Sequence, residues 1–157
     1  MKRFLFDCGT RDATASLGLL VLRLSAGLMM LIGHGLPKVR AYGMLKEKFY
    51  EPDFFPLSLL SPQASLLATI TAEAVASLLI ILGVATRPAA FLVGFTMVVA
   101  AFGVHQSAPW FVKPPDILVA KELALMYLVP MLALIVSGAG LYSGDALIRT
   151  DARRRRW

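Results

Sequence analysis

Four long apolar runs constrain the fold of this chain more than any other feature. A helix needs about 20 apolar residues to cross the roughly 30 Å hydrocarbon core of a bilayer. The runs cover residues 15–36, 64–85, 88–106 and 117–137. Hydrophobic residues make up 57% of the sequence and charged residues only 17%, a balance typical of chains surrounded by lipid. We therefore predict an all-α membrane protein that folds as a four-transmembrane-helix antiparallel bundle. Its main partner is expected to be the lipid bilayer that surrounds it.

The connections between these runs differ greatly in length. Only residues 86–88 separate the second run from the third, which predicts a helical hairpin with Pro88 in the first helical turn. Residues 37–63 form a long connection in which charged residues alternate with aromatic ones, and prolines at positions 52, 56 and 62 argue against one continuous helix. We expect this long loop to lie at the membrane interface. A small extramembrane cap over the bundle is the alternative.

The basic residues predict the orientation of the bundle. Nine lie in the two termini and the 86–88 turn, and five lie in the other connections. The nine are Lys2, Arg3, Arg11, Arg87, Arg149 and residues 153–156; the five are Lys38, Arg40, Lys46, Lys48 and Lys113. Because cytoplasmic connections carry the excess of Lys and Arg, both termini are expected in the cytoplasm. The chain then divides into a cytoplasmic N-terminal segment (1–14), a membrane domain (15–145) and a basic cytoplasmic tail (146–157).

The ends of the chain exclude several functions. Four consecutive arginines at 153–156 supply much of the net charge of +6, so this charge indicates an anionic membrane surface and not nucleic acid. A cloning remnant is the alternative origin of the tail. No apolar stretch precedes Cys8, so we expect neither a cleaved signal peptide nor a lipoprotein anchor. Cys8 is the only cysteine, which rules out a disulfide or dithiol redox pair within one chain.

Two ionisable residues fall inside the apolar runs, where each costs at least about 2.5–3.5 kcal/mol to insert. Arg23 lies in the first run and Glu73 in the second, at depths that differ by only about 5 Å for antiparallel helices. We expect an Arg23–Glu73 ion pair. It could be structural, fixing the register of the two helices, or one partner could bind a polar headgroup or relay a proton.

A second polar cluster is expected at the outer rim of the bundle. It comprises His34, Lys38, His105, Lys121 and Glu122, which lie where the first, third and fourth runs meet that side. Three interpretations remain open: a site for a polar substrate or quinone headgroup, a metal site formed by His34, His105 and Glu122, or ordinary hydrogen bonding. The close ligand spacing that identifies a metal site is absent, so no metal is assigned.

The hairpin and the end of the fourth run predict a further pair on the cytoplasmic side. Arg87 leaves the membrane between the second and third runs, and Asp145 follows the fourth run by a few residues. We expect the two side chains to pair. Gly138 or Gly140 should adopt a positive φ, so that the chain can turn back over the bundle.

Several motifs together resemble the DoxX family. They are Gly33-His34-Gly35-Leu36-Pro37-Lys38, Glu73, the segment Leu82-Gly83-Val84-Ala85-Thr86-Arg87, and the segment 137–145, Ser-Gly-Ala-Gly-Leu-Tyr-Ser-Gly-Asp. The resemblance implies a four-helix protein of the bacterial inner membrane that acts as an oxidoreductase subunit. Relatives include a subunit of thiosulfate:quinone oxidoreductase, and some members have sulfur or oxidative-stress partners. Relatives that depend on cysteine pairs differ from this chain, so a thiol mechanism is not expected.

The leading functional hypothesis is a membrane component of a redox pathway that binds a quinone or another small amphipathic molecule through His34, His105 and Glu122. The first alternative is a non-enzymatic scaffold that recruits soluble redox partner proteins. The second is a small transporter gated by Arg23 and Glu73, which would need to form a homo-oligomer. No Walker loop, GxGxxG turn, HExxH helix or GxSxG elbow is present, so hydrolase and nucleotide chemistry have no support in the motifs.

Overall fold

A computed structural model describes residues 8–112 and 120–148, and within these ranges the chain is helical and contains no strand. The four long helices are α1 (Ala13–Arg40), α2 (Pro62–Leu82), α3 (Thr86–Val104) and α4 (Lys121–Ser137). Helices α1 to α3 are each long and apolar enough to cross a membrane. The prediction of an all-α protein with membrane-spanning helices is therefore confirmed for the described residues, with three candidate spans. The predicted start of the fourth helix, residue 117, lies outside the described residues.

Helix α1 is longer than predicted because it continues through Pro37 to Arg40. A π-helical turn, Leu31–Gly35, separates its long α-helical part from the segment Leu36–Arg40. Pro37 falls in the first turn of that segment, where a residue without a backbone N–H is tolerated. Lys38 therefore lies on the helix itself, whereas the sequence predicts a position just beyond the end of the first run.

Each of the first three helices contains one π-helical turn. Besides the turn in α1, these are Thr71–Ala76 in α2 and Ala100–Val104 in α3. Such turns are rare and occur frequently at functional sites, because the extra residue redirects side chains that an α-helix would send elsewhere. The sequence pattern gave no indication of them.

The connection from α1 to α2, residues 41–61, is made of short turns. It contains a four-residue helix, Tyr42–Leu45, and a 3₁₀ turn, Leu57–Leu59. The side chain of Ser61 then caps α2 by accepting a hydrogen bond from the backbone N–H of Ala64 at 3.3 Å. That this connection lies at the membrane interface stays a prediction.

The core lies between the four helices, with the most extensive contacts between α3 and α4, followed by those between α1 and α2. Alanine makes up half of its buried members, which lets the helix backbones approach closely. Its buried members are Ala26, Met30, Ala76, Ile80, Ala89, Ala90, Val93, Met97, Ala101, Ala124, Met131 and Leu134.

Large apolar side chains also cover the outside of the bundle. Val21, Phe91, Val129 and Val136 are each more than half exposed, and they lie on α1, α3 and α4. Extensive exposed apolar surface is rare on soluble proteins. The exposed face of the described bundle is therefore suited to contact with lipid acyl chains.

Both ends of the described chain meet at the α2–α3 turn. The backbone N–H of Gly140, after α4, donates to the carbonyl of Cys8 at 2.7 Å, and the N–H of Asp145 donates to the carbonyl of Gly83 at 2.8 Å. The backbone N–H of Leu141 donates to the hydroxyl of Ser16 at 3.0 Å. The segments before α1 and after α4 therefore lie at the same end of the bundle.

Candidate functional site

A cavity of about 400 Å³ lies between the four helices at the end opposite the α2–α3 turn. All four helices and the connection from α1 to α2 contribute to its wall. The polar side chains on this wall are His34, Lys38, Tyr50, Ser65, Thr69, Glu73, Thr96, His105 and Tyr127. The apolar part includes Phe49, Met97, Val104 and Leu123. The cavity thus combines apolar walls with a small number of convergent polar groups.

Among the described residues, an ion pair between Lys38 and Glu73 is the charged feature of this wall. The ammonium of Lys38 lies 2.5 Å from Oε2 of Glu73. The Glu73 side chain is 5% exposed and that of Lys38 is 23% exposed. Gly35 allows α1 and α2 to approach here, because a Cβ at this position would lie 2.7 Å from the carbonyl oxygen of Glu73.

The two histidines of the chain face the same cavity. His34 lies in the π-helical turn of α1, and its ring packs edge-on against Tyr127 of α4, with the ring centroids 5.3 Å apart. His105 directly follows the π-helical turn of α3. Glu73 lies in the third such turn. The three π-helical turns thus carry or directly precede three of the polar groups that line the cavity, His34, Glu73 and His105.

Tyr50 ties the connection from α1 to α2 to the cavity. Its carbonyl accepts a hydrogen bond from the hydroxyl of Ser65 at 2.8 Å. Its ring lies against Gly103, where a Cβ would come within 2.8 Å of the phenolic oxygen. Burial, followed by the negative charge of Asp53, raises the pKa of Tyr50. The phenol therefore stays protonated at neutral pH and can donate a hydrogen bond.

Arg23 does not reach the cavity, and the predicted Arg23–Glu73 pair is wrong. The fully buried guanidinium of Arg23 donates to the carbonyl of Tyr142 at 2.5 Å and packs against Gly83, where a Cβ would overlap it. Side chains tilt toward the N-terminus of their own helix. Because α1 and α2 are antiparallel, Arg23 and Glu73 point toward opposite ends of the bundle.

The predicted rim residues Lys121 and Glu122 also lie outside the cavity. Oε2 of Glu122 accepts a hydrogen bond from the backbone N–H of Val112 at 2.9 Å. The ammonium of Lys121 lies 5.0 Å from the ring centroid of Trp110. Within residues 8–112 and 120–148, no group of three or more His, Cys, Asp or Glu side chains is placed to hold a metal ion.

Helical spacing explains why these two residues are excluded. The cavity-lining residues on this part of the chain are Ala120, Leu123, Ala124 and Tyr127. Their spacing of three and four residues defines one face of a helix. Residues 121 and 122 fall between these positions and face away, and the same periodicity in the sequence could have identified Tyr127.

Asp145 forms a second polar centre at the opposite end of the bundle. Its carboxylate is 1% exposed and accepts hydrogen bonds from the backbone N–H groups of Ala85 at 2.8 Å and Thr86 at 3.0 Å. It therefore caps α3 from a distant part of the sequence. Arg87 is buried at the same end of the bundle. The predicted Arg87–Asp145 pair stays a prediction.

The glycines before Asp145 behave as the sequence predicted. Gly138 has a φ of 80° and Gly140 a φ of 78°. Only glycine adopts such angles without strain. These two residues turn the chain back over the end of the bundle and bring Asp145 to α3.

Together, the lipid-compatible helices and the polar cavity enclosed between them define a helical membrane protein with an internal ligand-sized site. The family model for DoxX matches residues 18–106, more than half of the chain. The chain belongs to the DoxX family, as its motifs had indicated. The matched region includes Lys38, Glu73 and both histidines of the cavity. No curated protein and no solved structure gave a significant match.

Proposed function

We propose that this protein is a membrane component of a redox pathway and binds a quinone or a similar small amphipathic molecule in the cavity between its helices. The observation that carries the proposal is the cavity itself, in which the Lys38–Glu73 pair and two imidazoles face apolar walls. Ligand sites are typically apolar clefts of about 300–1,000 Å³ with a few well-placed polar groups. The volume of about 400 Å³ falls in this range.

The polar groups of the cavity differ in their availability to a ligand. The three aliphatic hydroxyls already donate to backbone carbonyl groups: Ser65 to Tyr50, Thr69 to Ser65 and Thr96 to Leu92. Within the described part of the chain, no hydrogen bond engages the imidazole rings or the phenols of the wall. A quinone carbonyl or quinol hydroxyl would give them partners, since an imidazole both donates and accepts.

Four membrane spans with both termini in the cytoplasm form the second part of the proposal. Helix α4 has 17 residues, about 26 Å of helix, which is close to the thickness of the hydrocarbon core. Its charged residues, Lys121 and Glu122, lie in the first turn. The meeting of both described chain ends at the α2–α3 turn favours an even number of spans. The termini and the α2–α3 turn contain more Lys and Arg than the other connections, which favours placing this end of the bundle in the cytoplasm. The membrane would then be the inner membrane of a bacterium.

A soluble redox partner would dock at this same end, because the segments before α1 and after α4 both lie there. The chain itself would supply the lipid-facing binding site, and the partner would supply or accept the electrons. If the protein is instead a scaffold without a ligand, or a transporter, quinone binding to the cavity should not be saturable.

Equilibrium binding of decylubiquinone to the protein in lipid nanodiscs tests the proposal. His34→Ala and His105→Ala should each weaken binding about fivefold, which corresponds to the loss of one hydrogen bond worth about 1 kcal/mol. Glu122→Gln, at the same rim but outside the cavity, is the matched control and should bind like the wild type. Binding that is not saturable above that of empty nanodiscs would refute the proposed function.

A further inference from the structure

The described wall of the cavity carries one cation and one anion, and they neutralise each other. Lys38 and Glu73 are in contact at 2.5 Å. The other polar groups on this part of the wall are imidazoles, phenols and aliphatic hydroxyls, none of which carries a fixed charge. A ligand that enters with a net charge therefore finds no unpaired countercharge among the described residues.

A charged headgroup gains a full countercharge only by taking over one partner of the ion pair, and the cost depends on which partner is left behind. An anionic headgroup would take Lys38 and strand Glu73, whose side chain is only 5% exposed. An unpaired charge in such a buried position is strongly destabilising. A cationic headgroup would instead strand Lys38. Its side chain is 23% exposed, so its long flexible stem could carry the ammonium toward polar surroundings.

We infer that the cavity selects an electrically neutral headgroup that both donates and accepts hydrogen bonds, and that it discriminates most strongly against anionic amphiphiles such as fatty acids. This inference rests on the proposed ligand-binding function of the same cavity. The expected order of affinity is neutral first, cationic second and anionic last. Quinones and quinols belong to the favoured class, and acidic lipids belong to the excluded class.

The ion pair also provides the contact points for such a headgroup. Within the described residues, the carboxylate of Glu73 forms one hydrogen bond, which leaves Oε1 available as an acceptor. The ammonium of Lys38 has three N–H donors and uses one for Glu73. A donor and an acceptor therefore lie side by side on the wall. A neutral group with both functions can bind to the pair without separating it.

A series of dodecyl amphiphiles that differ in headgroup charge tests the inference. Radiolabelled dodecanol, dodecyltrimethylammonium and dodecyl phosphate are dialysed to equilibrium against the protein in nanodiscs of zwitterionic lipid, and uptake by empty nanodiscs is subtracted. Dodecanol should bind the wild-type protein at least about tenfold more tightly than dodecyl phosphate, because only the phosphate must strand a buried carboxylate. Dodecyltrimethylammonium should lie between them.

Variants of the pair should change this order in a defined way. Glu73→Gln keeps the shape of the side chain and leaves Lys38 as an unpaired cation, so dodecyl phosphate should become the tightest of the three ligands. Glu122→Gln removes a carboxylate outside the cavity and should keep the wild-type order. The double variant Lys38→Gln with Glu73→Gln strands no charge, so its folding does not depend on the ion pair. It should still bind dodecanol and retain the preference for it over both charged ligands.

The results separate this inference from the proposed function. If dodecyl phosphate binds the wild-type protein as tightly as dodecanol, or if Glu73→Gln keeps the wild-type order, charge selection by the ion pair is wrong although the cavity binds amphiphiles. If none of the three ligands shows saturable binding above empty nanodiscs, the cavity is not a ligand site, and both proposals are refuted.

Discussion

Replacing Asp145 with Asn should destabilise the fold strongly, although the change removes no side-chain volume. The Asp145 carboxylate is 1% exposed and accepts one hydrogen bond on each oxygen, from the backbone N–H groups of Ala85 and Thr86. Asn has a single acceptor oxygen, so one of these N–H groups would face an amide N–H₂ instead. The negative charge that stabilises the nearby guanidinium of Arg23 would also be lost.

The magnitude follows from these two losses. A hydrogen bond to a charged group contributes about 1.5–3 kcal/mol, and loss of an N-cap costs about 0.5–2 kcal/mol. The lost attraction between the negative charge of Asp145 and Arg23 adds to these costs. Because the losses overlap, we expect Asp145→Asn to lower the free energy of unfolding by about 2–4 kcal/mol in total.

Unfolding by SDS in mixed micelles, followed by far-UV circular dichroism, measures this change. Asp12→Asn is the matched control, because Asp12 caps α1 by accepting a hydrogen bond from the backbone N–H of Ala15 at 2.7 Å but is exposed to solvent. It should cost about 1 kcal/mol or less. Equal losses in the two variants would refute the reasoning that burial and the neighbouring charge make Asp145 important.

Three further predictions follow from helix contacts and topology. Gly35→Ala should lower stability by about 1–3 kcal/mol in the same unfolding assay, because its Cβ would press on the carbonyl oxygen of Glu73. Gly33→Ala is the control, because nothing lies within 4 Å of the added Cβ, and it should be neutral or stabilising by up to about 1 kcal/mol. If Gly33→Ala and Gly35→Ala lower stability equally, the close approach of α1 and α2 at Gly35 is wrong. Arg23→Met and Glu73→Gln should have additive effects on the free energy of unfolding, whereas the effects of Lys38→Met and Glu73→Gln should be non-additive. Non-additive effects of Arg23→Met and Glu73→Gln would instead indicate that Arg23 and Glu73 are in contact. Reporter enzymes fused after residue 157 and in the connection between α1 and α2 should report the cytoplasm and the outside, and activity on the same side would refute the proposed topology.

The positions of the helices could be predicted from hydropathy, but their internal geometry could not. The predicted run 15–36 lies within α1, and the predicted run 88–106 nearly coincides with α3. Hydropathy counts apolar residues and does not distinguish α-helical from π-helical turns, which depend on packing between helices. Hydropathy alone therefore ends the first helix before Pro37 and places Lys38 just beyond it.

The candidate site could be predicted in part from depth alone. His34, Lys38 and His105 were placed at one rim from their positions along the helices, and all three line the same cavity. Depth does not specify the direction of a side chain, so depth alone pairs Glu73 with Arg23 and places Glu122 in the site. The tilt of side chains toward the N-terminus of each helix explains the first error, and the helical face of α4 explains the second.

Photoaffinity labelling with an azido-quinone in nanodiscs, followed by peptide mapping, tests directly whether the cavity binds a quinone headgroup. Labelling should concentrate on α1 near His34 and on α3 near His105, and an excess of decylubiquinone should prevent it. Labelling that falls only on lipid-facing residues such as Phe91 and Val136, and that decylubiquinone does not reduce, would contradict the claim that the cavity holds the headgroup.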